Sequence, residues 1–108
     1  MQFKDLKKFI KKYDKELKRR YPNEGEVVRI LARTVKLSEE VGELSDEILS
    51  YNNMQRNEKM DKKSKESAGD EFADVIITTL LLAESMNVDI EKVLDNKIKK
   101  IDKRDEKR

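Results

Sequence analysis

Glu71-Phe72-Ala73-Asp74-Val75-Ile76-Ile77-Thr78-Thr79-Leu80-Leu81-Leu82-Ala83 is the stretch on which the fold turns. Phe72, Val75, Ile76, Ile77, Leu80, Leu81 and Leu82 would be apolar nearly all round a helix, which predicts the most buried element of the chain. Its purest part, Val75 to Ala83, is nine residues with two threonines. That is far short of the ~20 residues needed to span a bilayer. Two carboxylates, Glu71 and Asp74, stand three residues apart and therefore share one face of this helix. Asp74 lies among Phe72, Val75 and Ile77, where an unpaired acid is costly. Ser67 is the expected N-cap, with Asp70 and Glu71 in a first turn whose dipole favours acids.

A second acidic helix precedes it. Its expected span is Glu26 to Tyr51, with an apolar seam of Val27, Ile30, Leu37, Val41, Leu44, Ile48 and Tyr51. Glu40, Glu43 and Glu47 fall on one flank of that seam, and Glu39 points to the opposite edge. Gly42 inside this helix costs ~1 kcal/mol relative to alanine, which suggests close approach of a neighbouring helix or ligand.

The remaining punctuation is helical too. Phe3, Leu6, Phe9 or Ile10, Tyr13 and Leu17 mark a first helix over Phe3 to Arg20, ended by Tyr21-Pro22-Asn23-Glu24-Gly25. Asn52 to Ala68 is polar with no sustained apolar period, and reads as a mobile loop or one carrying a short helical turn. Asn87-Val88-Asp89 is a turn, with Asp89 capping a fourth helix whose seam is Ile90, Val93, Leu94, Ile98 and Ile101. Residues from Lys103 to Arg108 are expected to fray. The expectation is one all-α, four-helix domain over residues 1–108, its lean core completed by oligomerisation.

Composition agrees and excludes several classes. With three glycines and one proline in 108 residues, a turn-rich β fold is disfavoured. The 25 basic and 23 acidic residues nearly cancel, and the few aromatics fall at core spacings, so nucleic-acid binding is not expected. Cysteine and histidine are both absent, which removes disulfides, thiolate metal sites and every histidine-based triad. The N-terminus has no apolar signal-peptide core, so no membrane partner and a cytoplasmic location are expected.

Glu40 with Glu43, and Glu71 with Asp74, thus form two carboxylate claws on two helices. Like charges at that spacing repel, and the cost falls when a hard cation neutralises them. Oxygen ligands of this kind suit magnesium, which keeps waters that a phosphate substrate replaces.

The pattern Glu-Glu-x-x-Glu at 39–43, a gap of 27 residues, then Glu-x-x-Asp at 71–74 resembles the MazG family of all-α nucleoside triphosphate pyrophosphohydrolases. Lys36-Leu37-Ser38-Glu39-Glu40-Val41-Gly42-Glu43-Leu44 is similar to the family's first metal helix. Gly69-Asp70-Glu71-Phe72-Ala73-Asp74-Val75 is similar to its second, and Asn87-Val88-Asp89-Ile90-Glu91-Lys92-Val93 to its turn into the last helix. The likeness runs over about residues 27–104. It implies Mg2+ (with Mn2+ as a substitute) held by Glu40, Glu43, Glu71 and Asp74, and Glu39 in the outer shell or orienting the attacking water. It also implies Lys97 and Arg104 as phosphate-binding cations, with Ile101 standing where the family often has asparagine. Phe9, Tyr13 and the long loop are candidates to shape the base pocket. The implied reaction cleaves a (deoxy)nucleoside triphosphate between its α- and β-phosphates, to a monophosphate and pyrophosphate, for nucleotide-pool housecleaning by a homodimer or homotetramer. In a chain without histidine, water activated by the metal is the expected nucleophile.

Three other readings remain beside this one. A phosphoribosyl-ATP pyrophosphohydrolase-like enzyme would use related motifs, and a non-catalytic helical interaction module could keep the metal site alone. A di-iron carboxylate bundle fits less well, because such sites use Glu-x-x-His.

Overall fold

A computed structural model describes residues 1–56 and 62–106. Over those residues the chain is four α-helices and no strands: α1 Phe3–Arg20, α2 Glu26–Arg56, α3 Lys62–Ser85 and α4 Ile90–Glu106. The first helix has the bounds its apolar period predicted. The Gln2 backbone N–H donates to Asp5 Oδ2 at 2.9 Å, and Lys18, Arg19 and Arg20 face the negative end of the dipole. The turn before α4 is a Schellman closure: Val88 N–H bonds the Ala83 carbonyl and Asn87 N–H the Glu84 carbonyl. Asn87 carries the positive φ of 57° that this closure needs, and asparagine tolerates it better than most residues. Asp89 Oδ1 then accepts from Lys92 N–H at 3.2 Å, which is the expected cap.

The connection between the acidic helices differs from the sequence reading. Residues 52–56 continue α2, and 62–68 already belong to α3; only the middle of the expected loop, residues 57–61, lies outside the described residues. Ser67 is therefore inside α3 rather than at its cap, and Asp70 and Glu71 lie beyond the first turn. The physical reason is composition. Residues 52–56 and 62–68 contain no glycine or proline, and Lys, Glu, Gln, Met, Arg and Ala sustain a helix without an apolar stripe. α4 likewise stays helical through Lys103 to Glu106, where fraying was expected; residues 107–108 are outside the described residues.

α2 packs along α3, and α1 lies across α3. The pairing of Arg33 with Leu81 near one end, and of Glu43 with Glu71 near the other, makes α2 and α3 antiparallel. Ile10, Leu80 and Leu81 form the buried cluster, with Leu6, Tyr13, Leu17, Ile77 and Ile90 against it. Between the two candidates on α1, Ile10 is the core residue and Phe9 is exposed.

Several apolar residues expected in the core are at the surface. Val27, Val41 and Ile48 on α2, Phe72 and Ile76 on α3, and Val93, Leu94 and Ile98 on α4 are all exposed. α3 is therefore buried on part of its circumference only. On α2 the inward line at 30, 33, 37, 40, 44 and 47 is shared by Ile30, Leu37 and Leu44 with Arg33, Glu40 and Glu47. α2 carries a second apolar line on the opposite side, where Leu31 and Val35 are each 59% exposed. Gly42 lies on that outer side, and a Cβ there would meet nothing within 4 Å, so no close approach among the described residues explains it. α4 packs extensively against neither α2 nor α3. The Cα radius of gyration is accordingly 17.4 Å, against about 13 Å for a compact domain of this length.

Candidate metal centre

Antiparallel packing of α2 on α3 brings the two claws face to face. Oxygens of Glu40, Glu43 and Glu71 lie within 4.8 Å of one another. Asp74, one turn along from Glu71, is not in this closest group; its charge acts on Glu71, and it lines a cleft together with Glu40. Glu40 is only 6% exposed, which is rare for a glutamate. Its Oε1 accepts a salt bridge from Lys36 at 3.1 Å, while its Oε2 is buried with no hydrogen-bond partner among the described residues. Glu71 Oε2 is buried without a partner as well. Burial, and then the carboxylates of Glu43, Glu40 and Asp74, push the Glu71 carboxyl above the usual glutamate range.

Orphaned, converging carboxylate oxygens are costly in a free protein and are what a hard cation takes as ligands. No thiolate or imidazole can compete in this chain. The donor set therefore fits magnesium, with Glu40, Glu43 and Glu71 as the residues best placed to hold it and Asp74 beside them.

Glu39 is four residues from Glu43 and so shares its flank of α2, but it is not among the converging oxygens. It is exposed, 3.8 Å from Lys36 Nζ, and does not join the carboxylate group. Lys97 and Arg104 are exposed on α4, and Arg104 lies 3.5 Å from Asp105; the packing of this chain does not lay α4 along the acidic helices.

A cleft of about 390 Å³ opens beside the carboxylates, between α1 and the α2–α3 pair. Tyr13 and Leu17 come from α1 and Tyr21 from the turn that follows it, Arg33, Lys36 and Glu40 from α2, and Asp74, Ile77, Thr78 and Leu81 from α3. Its far wall is pinned by Arg33, whose Nη1 donates to Asp14 Oδ1 at 2.7 Å and to the Leu81 carbonyl at 3.0 Å. One guanidinium thus ties all three helices. Lys18 adds a second cation on Asp14 at 2.9 Å. Burial alone would raise the Asp14 carboxyl, but hydrogen bonds from Lys18 and Arg33 outweigh it and hold the group below the usual carboxylate range. The hydrogen bond with Glu40 keeps Lys36 firmly cationic, its ammonium raised above the ordinary lysine value.

Asp14 and Arg33 had no role in the sequence reading. The signal was present: Arg33, Lys36, Glu40 and Glu43 recur at three- and four-residue steps on one face of α2. Of the candidates for the base pocket, Tyr13 lines the cleft and Phe9 does not line it; Tyr21 does, although the turn containing it was read only as a break.

Comparison with known families matches residues 31–107 to the model described as MazG-like. No curated protein and no solved structure matches the chain.

Proposed function

The chain belongs to the MazG-like family, generally nucleoside triphosphate pyrophosphohydrolases, and on that footing we propose that it is a magnesium-dependent member hydrolysing (deoxy)nucleoside triphosphates to the monophosphate and pyrophosphate. The observation that carries the reading is the group of Glu40, Glu43 and Glu71 oxygens within 4.8 Å, two of these residues holding a buried oxygen with no partner. Glu40, Glu43, Glu71 and Asp74 would hold the cation. Bound there, it supplies positive charge against the triphosphate oxygens, where charge builds on the leaving pyrophosphate. The rest of the work falls to the chain: fixing carboxylate orientation, and walling the substrate away from water along the cleft. Glu39, outside the cluster and beside Lys36, is assigned to orienting the attacking water.

A second copy of the chain is part of this proposal. α2 is apolar on two opposite sides, and only one of them is covered within the protomer. The Val93, Leu94 and Ile98 seam of α4 is also left exposed among the described residues. A symmetric homodimer gives both surfaces something to bury.

The test is incubation with a panel of standard and modified nucleotides plus magnesium, assaying pyrophosphate and orthophosphate separately. Pyrophosphate release that is lost in Glu43→Gln and Asp74→Asn is the expected result. Orthophosphate alone would move the cleavage to another bond, and no release from any nucleotide would leave a helical module that binds metal.

A further inference from the structure

Lys36 and the aromatic wall of the cleft are not needed to hold a cation. Lys36 Nζ sits on Glu40 Oε1 at 3.1 Å, at the point where the cleft meets the carboxylates. The cleft is also lined by Tyr13 and Leu17 of α1, by Tyr21 in the turn after it, and by Ile77 and Leu81 of α3. A charged side facing an aromatic and aliphatic side, in a volume of about 390 Å³, has the polarity and size of a small-molecule pocket.

Building on the pyrophosphohydrolase reading, we propose that this cleft receives the nucleoside monophosphate half of the substrate, with Lys36 as its phosphate contact and Tyr13 and Tyr21 as the wall for its base. The exchange follows from charge. A cation held by Glu40 and its neighbours repels the ammonium of Lys36 and takes the carboxylate that held it. Lys36 would then keep only the exposed Glu39 carboxylate, at 3.8 Å, and a lysine so released is a point charge that binds phosphate. Its stem is on the surface, so it can turn from Glu40 to a phosphate without disturbing the core. Tyrosine faces accept any base by stacking, and Tyr21 is exposed enough for a base to reach it.

The competing account is that Lys36 only neutralises Glu40. Calorimetric titration of the whole chain with dUMP, dTMP, dCMP, dGMP and dAMP in magnesium separates the two. The parent should bind at least one of them. Lys36→Gln should weaken that binding about tenfold or more, and Lys36→Arg should restore most of it. Tyr21→Leu should weaken it about fivefold or more. Magnesium titrated alone should bind Lys36→Gln as tightly as the parent or more tightly, because a competing ammonium is gone. Monophosphate binding unchanged in both Lys36→Gln and Tyr21→Leu overturns the proposal. So does loss of magnesium and nucleotide together in Lys36→Gln, or a parent that binds none of the five. The reaction is judged separately. A parent that binds monophosphates through Lys36 and Tyr21 yet releases no pyrophosphate keeps the cleft and removes the hydrolase. Pyrophosphate release with an unaltered KM in both variants does the reverse.

Discussion

Asp14 on α1 and Arg33 on α2 form an ion pair at 2.7 Å, with the two residues only 5% and 8% exposed. Arg33 carries the link on to the Leu81 carbonyl of α3, so the spacing of the cleft walls rests on one guanidinium. Both partners are out of water, and the pair has been exchanged for positions that an apolar contact could fill. Such a pair fixes geometry more surely than it adds stability.

Removing one partner leaves the other charged and buried. Asp14→Ala should therefore destabilise the chain by about 3 kcal/mol, whereas the double change Asp14→Leu with Arg33→Met should recover much of that loss. Urea unfolding of the parent and the two variants checks it. A single-site loss below about 1 kcal/mol would mean that the pair contributes no more than a surface contact.

The same pair sets an acid limit. The Asp14 carboxyl is held below its unfolded value, so its contribution is present above about pH 4 and fades as pH falls through the lower, folded value. Asp14→Asn should be less stable than the parent at neutral pH, and the gap should narrow on acidification below about pH 4. A gap that stays constant from pH 7 to pH 2 would contradict this sign.

Magnesium should reverse the effect of one substitution. Without the cation, Glu40→Gln relieves repulsion around an oxygen that has no partner, and should leave stability unchanged or higher. With magnesium at a hundred times its dissociation constant, the parent should gain about 2.7 kcal/mol and the variant much less. Thermal melts with magnesium and with a chelator read both signs. Equal shifts in parent and Glu40→Gln would remove Glu40 from the ligand set.

Glu39 and Glu40 are adjacent in sequence, but one is exposed and the other buried. Glu39→Gln should keep the magnesium-dependent rise in melting temperature while lowering pyrophosphate release about a hundredfold, the range of an acid–base residue. Full activity in Glu39→Gln would take it out of the mechanism.

The outer side of α2 predicts the oligomer. Leu31→Lys together with Val35→Glu should leave helix content intact and shift the chain to a monomer by light scattering. An unchanged mass would place the interface elsewhere, for instance on the exposed seam of α4.

Local chemistry made much of this legible in advance. The bounds of α1 came from its apolar period, and the cap of α4 from Asp89, because each depends on residues a few positions apart. The contrast between exposed Glu39 and buried Glu40 likewise needs only the helical angle, about 100° between neighbours. Residues 52–56 and 62–68 are helical where the polar stretch reads as a loop or one with a short helical turn, because a solvated helix carries no apolar stripe to find. Periodicity detects a buried face, not a helix as such.

Along the chain, the residues by themselves determined four helices, two carboxylate claws and a chemistry without histidine, since these follow from short-range geometry and from which side chains are present. Only the tertiary structure decided which acids meet, and it brought Glu71 to Glu40 and Glu43 with Asp74 at the edge of the cleft. It also decided that Arg33 would fasten Asp14, and that Leu31, Val35 and Ile98 would be left facing outward. The reason is that helix packing selects one face from each helix. A sequence shows every face that could be buried, and the crossing of α1 and α2 on α3 leaves room for only some of them.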